Sequence, residues 1–180
     1  MPDRTGPADG RMQTESVEGT FLGLSEVDGP CDVAILPIPY ELTTSYGQGT
    51  ASGPRACISA SSQVELYDPL LPEDLPAGFR FHTARAWDGE GDSLSEQLAN
   101  VETYLADYLD GSCFPVVLGG EHGLLPAEMR ALRGHPEIDG ELGNLTLVQL
   151  DAHADLRNEL DDEEFSHACA ARRALDEGVG

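Results

Sequence analysis

Short apolar runs alternate with longer stretches of helical periodicity along this chain. The first run, VAIL at 33–36 inside CDVAILPIPYE, has no polar position within it and predicts a strand buried on both faces. A loop rich in Gly, Ser and Thr follows (TTSYGQGTASGPR). Ser52, with Pro54 just after it, predicts a helix start running through Ala56 and Ile58. A second strand is expected over 79–86. Leu94, Leu98, Val101, Leu105 and Leu109 then recur at helical spacing. Ser93 and Glu96 form a capping-box pair at the head of that helix, and Gly111 supplies its stop. Tyr104 and Tyr108 on the same segment read as packing residues. A third strand is expected over 114–118, then GGEHG and another helix. A fourth strand is expected in LTLVQLDAHADLR, whose first half looks the most deeply buried of all.

Near-continuous apolar runs are what a parallel sheet covered on both faces requires. Strands alternating with helices therefore predict an α/β fold: a three-layer, open, mostly parallel sheet with helices on both faces. Residues 1–19 read as a polar, mobile tail and 20–180 as the α/β domain. In such sheets ligands gather at the carboxyl ends of the strands.

Both polar clusters of the chain fall at such ends. Asp151, His153 and Asp155 stand at alternate positions, so in extended backbone all three can face one point. Carboxylates and an imidazole without a thiolate suit a hard or borderline divalent ion such as Mn²⁺, Mg²⁺ or Fe²⁺. A lone D-x-H-x-D in so acidic a chain can equally be a solvated loop. His122, in GGEHG at the end of another strand, shifts the balance towards a site. The Gly-rich loop after the first strand invites a phosphate-binding reading, yet it has no GK pair and no GxGxxG.

Composition narrows the partners. Of 180 residues, 33 are acidic and 10 basic, for a formal charge of −23, and every basic residue is an arginine. Such a surface repels nucleic acid and anionic membranes, so neither is expected as a partner. An apolar fraction of 40% opposes disorder. A folded protein with a hydrated acidic surface fits better, as in halophiles, where molar salt shortens the Debye length to about 3 Å. Cys31, Cys57, Cys113 and Cys169 form no CxxC pair and are expected as buried free thiols. The N-terminal residues lack an apolar h-region and no run approaches membrane-spanning length, so a cytoplasmic location is expected. The acidic run DDEEF at 161–165 is expected as a solvated loop. Arg172 and Arg173 are expected at a surface or helix end.

GGEH followed by DAHAD resembles the arginase/agmatinase ureohydrolase family, and its agmatinase-like branch most. IPYELTTSYGQGTASGPRACISAS, VELYDPLL, the GEGD near 89–92 and FSHACAARRALDEG are also similar to stretches of that family. The resemblance implies that His122, Asp151, His153 and Asp155 are ligands of a dinuclear Mn²⁺ centre. It implies that Asp155 also orients the nucleophile and that His167 is an acid/base and proton shuttle. The implied activity is hydrolysis of a small guanidino compound by a metal-bridging hydroxide, agmatine giving putrescine and urea. Guanidinobutyrate, arginine and formiminoglutamate remain as other substrates, and homo-oligomers are implied. From the residues alone, His167 has only Ser166 before it, as a candidate N-cap at a helix start.

The resemblance covers the N-terminal portion of the family. No SxDxDxxDP strand follows DAHAD, so the fold is expected to be incomplete at its C-terminus, with an exposed sheet edge. A piece of a longer enzyme is the favoured expectation. A truncated, non-catalytic product acting as a metal-binding or subunit-interaction module is the alternative. A single-zinc deacetylase is disfavoured by the GGEH histidine.

Overall fold

The computed structural model describes residues 19–25 and 29–180. The tail read over 1–19 therefore lies, Gly19 apart, outside the described residues. Three parallel strands form the sheet: β1 (Val33–Ile38), β2 (Phe81–Thr83) and β3 (Phe114–Gly119), in the order β2-β1-β3. Among the described residues four α-helices accompany them: α1 (Gly53–Ser61), α2 (Leu94–Ala106), α3 (Leu125–Leu132) and α4 (Ala170–Asp176).

β1 is central, which is why it can be apolar throughout. Ala34, Leu36 and Ile38 are fully buried in one core with Leu98, Val101 and Leu105 of α2 and Ala127 and Ala131 of α3. Ile35 points the other way and is also buried, on the side where α1 contributes Ile58. Pro37 has no N–H to give a ladder, and it is tolerated in this central strand because that side of it faces beyond the last paired residue of β2, where its carbonyl accepts from Trp87 N–H at 2.9 Å. The strand expected over 79–86 contracts to Phe81–Thr83.

α2 follows its sequence signals closely. Ser93 Oγ accepts from Glu96 N–H at 3.2 Å, while the Glu96 carboxylate accepts from Asp92 N–H at 2.8 Å, one residue earlier than a regular box. The helix ends at Ala106, and Gly111 lies in the following turn with φ of 80°. Ser93→Ala is expected to cost about 1 kcal/mol, read from the shift in urea midpoint at constant slope. An unchanged midpoint would mean that the cap contributes nothing. By contrast, Ser52 and Ser166 precede their helical turns without a side-chain cap hydrogen bond.

The fourth strand is the main departure. Residues 145–150 form no regular element, and among the described residues they pair with no strand. Leu147 packs partly against Met129, Leu142 and Ala174, whereas Val148 is 77% and Leu150 96% exposed. A parallel strand needs a neighbour to complete its ladder. Among the described residues β3 pairs only with β1, and a cavity separates β3 from this stretch. Leu150→Ser is therefore expected to change stability by no more than about 0.5 kcal/mol in this chain. A melt lowered by several degrees would mean the stretch is buried in solution.

The thiols also differ from expectation. Cys169 is buried, Cys31 and Cys113 are partly so, and Cys57 on α1 is exposed. Cys57 lies on the outer surface of a nine-residue helix, which buries only Pro54, Ile58 and Ser61. The 161–165 run stays largely open, although Glu164 pairs with Arg173 at 3.2 Å and Phe165 lies under the Arg130 guanidinium. Arg172 and Arg173 each pair with Asp176 at 2.9 Å. No helix among the described residues is long and apolar enough to cross a membrane.

Candidate metal centre

β3 delivers its chain to the sheet's carboxyl edge, where Gly119 and Gly120 turn it towards His122. Gly120 is required by close approach rather than by an unusual backbone angle. A Cβ there would lie 2.3 Å from the carbonyl oxygen of Tyr40, just after β1. The two strand ends are thus in contact, and Glu121 N–H donates to that same carbonyl at 2.8 Å.

His122, Asp151 and Asp155 come together at this edge, with one donor atom from each within 4.8 Å of the others. His122 Nδ1 lies 3.7 Å from Asp151 Oδ2, and its Nε2 lies 3.8 Å from Asp155 Oδ2. His122 Nε2 is also 3.0 Å from the carbonyl oxygen of His167. A carbonyl can only accept, so Nε2 carries the hydrogen and Nδ1 presents its lone pair on the Asp151 side. Asp155 adopts the left-handed region with φ of 50°, which aspartate tolerates, and turns the chain so that its carboxylate faces inward. Gln149 donates to Asp155 Oδ2 at 2.9 Å and to the carbonyl of His153 at 3.1 Å, bracing the turn.

His153 does not join this group. Its side chain is 84% exposed and lies beside the outer oxygen of Asp151, with Nδ1 3.6 Å from Oδ1. Its backbone N–H donates to the same oxygen at 2.8 Å. That bond, with help from the two imidazoles, holds the Asp151 carboxyl below its ordinary range. Asp151 therefore faces His122 with one oxygen and His153 with the other. The alternation expected of an extended segment is broken by bends at 152 and 153, where the Asp151 carboxylate takes the His153 N–H, and the two imidazoles fall on opposite sides of that carboxylate.

His167 stands at the mouth of the site, its ring centroid 6.0 Å from that of His122. The loop after β1 clamps it. Thr43 Oγ1 accepts from His167 N–H at 2.8 Å and lies 3.3 Å from Nδ1, and Ser45 Oγ lies 3.0 Å from Nε2. Glu121, 5% exposed, anchors that loop by accepting from the N–H groups of Leu42 and Thr43, both at 2.8 Å. Glu41 orders the remainder of the loop by accepting from Gly49 N–H and Ala51 N–H. Thr43, Ser45 and Glu121 were not singled out from the sequence as site residues. Their signal was present: a Thr-x-Ser pair just past the carboxyl end of a buried strand.

Behind the cluster lies a cavity of about 370 Å³, bounded by β3, the start of α3 and the 147–151 stretch. Glu128 of α3 lines it, and burial pushes its carboxyl pKa up to about 7. One imidazole and two carboxylates, open to solvent on one side, form a donor set that fits a hard or borderline divalent cation.

A parallel sheet with this cluster at its carboxyl edge is an α/β arrangement of the kind in which ligands gather at the strand ends. The family model for the arginase family matches residues 31–180, and the chain belongs to that family. It is 35% identical over 159 residues to an N(1)-aminopropylagmatine ureohydrolase of Synechocystis sp., covering 82% of this chain and 48% of that protein. An agmatinase of Bacillus anthracis is 30% identical over 146 residues, covering 81% and 48%. Among solved structures, Trypanosoma cruzi formiminoglutamase with Mn²⁺ superposes with a TM-score of 0.67 at 23% identity, covering 82% of this chain and 48% of that one. The chain spans about half the length of the curated relatives it matches.

Proposed function

We propose that this chain contributes a metal-dependent hydrolase site for a small guanidino compound, agmatine foremost, releasing urea and putrescine. The gathering of His122, Asp151 and Asp155 at the sheet's carboxyl edge, in a chain of the arginase family, carries this reading. Asp151, with one oxygen towards each imidazole, would hold metal together with His122 and Asp155, and His153 would add a further donor on its outer side. A divalent ion such as Mn²⁺ would supply Lewis acidity there and lower the pKa of water at the site. Asp155 would hold metal and orient the attacking water, its own position braced by Gln149. His167 would pass a proton to the departing amine, as a positioned imidazole can near neutral pH. The acidic surface favours a cationic guanidino substrate over an anionic one.

The name of the Synechocystis relative favours one further reading, the longer substrate aminopropylagmatine, at the same site. A cytoplasmic homo-oligomer is part of the proposal.

The test is urea release from agmatine with Mn²⁺, by this chain and by this chain joined to the second half of the Synechocystis relative. Activity in the joined protein is expected, and His167→Ala should lower kcat at least about 100-fold while Mn²⁺ binding is retained. No turnover of agmatine, aminopropylagmatine, guanidinobutyrate or arginine by a folded, Mn²⁺-loaded protein would overturn it.

A further inference from the structure

We propose that Thr43, held by Glu121, is a positioning residue that selects the Nδ1–H tautomer of His167 and leaves Nε2 as its basic nitrogen. The argument rests on counting hydrogens. Glu121 is buried, and as a carboxylate it only accepts. Its Oε2 takes two backbone N–H groups of the loop, and its Oε1 makes a short contact with Thr43 Oγ1. The single hydroxyl hydrogen of Thr43 therefore goes to Glu121, since a charge-assisted bond at the shorter separation outweighs the 3.3 Å contact with an imidazole nitrogen. The Thr43 oxygen is left with lone pairs only. One accepts from His167 N–H at 2.8 Å, and the other faces Nδ1, which must then carry its hydrogen. Ser166 Oγ, 3.4 Å from Nδ1, can also accept from it. Nε2 is left with its lone pair, 3.0 Å from Ser45 Oγ, which can donate.

This form runs against the Nε2–H tautomer that a free histidine side chain prefers, so the surroundings have to impose it. The consequence deepens the proposed proton-carrying role of His167 and rests on it: the nitrogen that exchanges protons is Nε2, at the open side, and Nδ1 is committed to the loop. Glu121 acts two contacts away from the ring, through the orientation of one hydroxyl.

The test uses the metal-free chain labelled with ¹⁵N-histidine at pH 8, where an ordinary imidazole is neutral. Long-range ¹H–¹⁵N correlation spectra distinguish the two tautomers directly. The expected result is an excess of Nδ1–H for His167 of about tenfold, the size one retained hydrogen bond can support. Thr43→Val should reverse the preference, Thr43→Ser should restore it, and Ser45→Ala should leave it in place. An Nε2–H form in the unaltered protein would overturn the proposal, as would an unchanged ratio in a folded Thr43→Val chain. If Thr43→Val does not fold, the unaltered protein and Ser45→Ala still decide the matter. Because no urea is measured, failure here leaves the hydrolase reading standing, and failure of that reading leaves the tautomer result intact.

Discussion

His122→Ala is expected to weaken Mn²⁺ binding by at least about 100-fold, measured by equilibrium dialysis or calorimetry of the chain at neutral pH. Loss of even an outer partner of a metal ligand costs about 10–100-fold, and loss of a ligand itself costs no less. His122 supplies the single nitrogen of the inner group, and its Nε2–H bond to the His167 carbonyl aims the lone pair on Nδ1. Asp155→Asn should have a comparable effect, because the Asp155 side chain is only 8% exposed and the substitution removes the charge but little volume. His153→Ala is the informative contrast. Its imidazole is exposed and lies beside the outer oxygen of Asp151. Its removal should spare the tighter binding event and abolish a weaker second one. If His153→Ala eliminated all binding while His122→Ala did not, the inner cluster would not be the metal centre.

Glu128→Gln is expected to stabilise the chain at pH 8 by about 3 kcal/mol and at pH 5 by no more than about 1 kcal/mol. The Glu128 carboxyl has a folded-state pKa of about 7 against an ordinary value of 4.5, because burial in the cavity wall disfavours its charged form. Between those values the folded state keeps a proton that the unfolded state releases. Stability from this group is therefore complete below pH 4.5 and is lost as pH rises through about 7. Glutamine keeps the shape and removes the titration. Denaturant midpoints at pH 5 and pH 8 check this. An identical decline with pH in both proteins would show that Glu128 is solvated.

How legible the molecule was in its sequence varied with the range of the interaction involved. The capped helix α2 was readable because its periodicity, Ser93 and Glu96 act within a few residues. β1 was readable because VAIL has no polar position, and burial on both faces follows. The stretch 145–150 carries the same local signal, yet a strand exists only by pairing, and pairing is not written within the segment. His122 and Asp151 fall together as their strand-end positions suggested. The placement of His153 depended on bends at 152 and 153, which nothing in D-x-H-x-D announces. The part played by Thr43 was hidden for a further reason. It reaches His167 across 124 positions of chain, through a loop whose shape is set by a buried carboxylate.

The open side of β3 and the bare Val148 and Leu150 have a colloidal consequence. In dilute buffer a net charge of −23 keeps copies of this chain apart, and the apolar edge is guarded by repulsion. Acid that neutralises the carboxylates removes that guard, and so does molar salt, where repulsion reaches only about 3 Å. In a salt-rich medium, charge alone cannot protect this side of the sheet from sticking to its own kind. Only a physical cover over the edge of β3 does so.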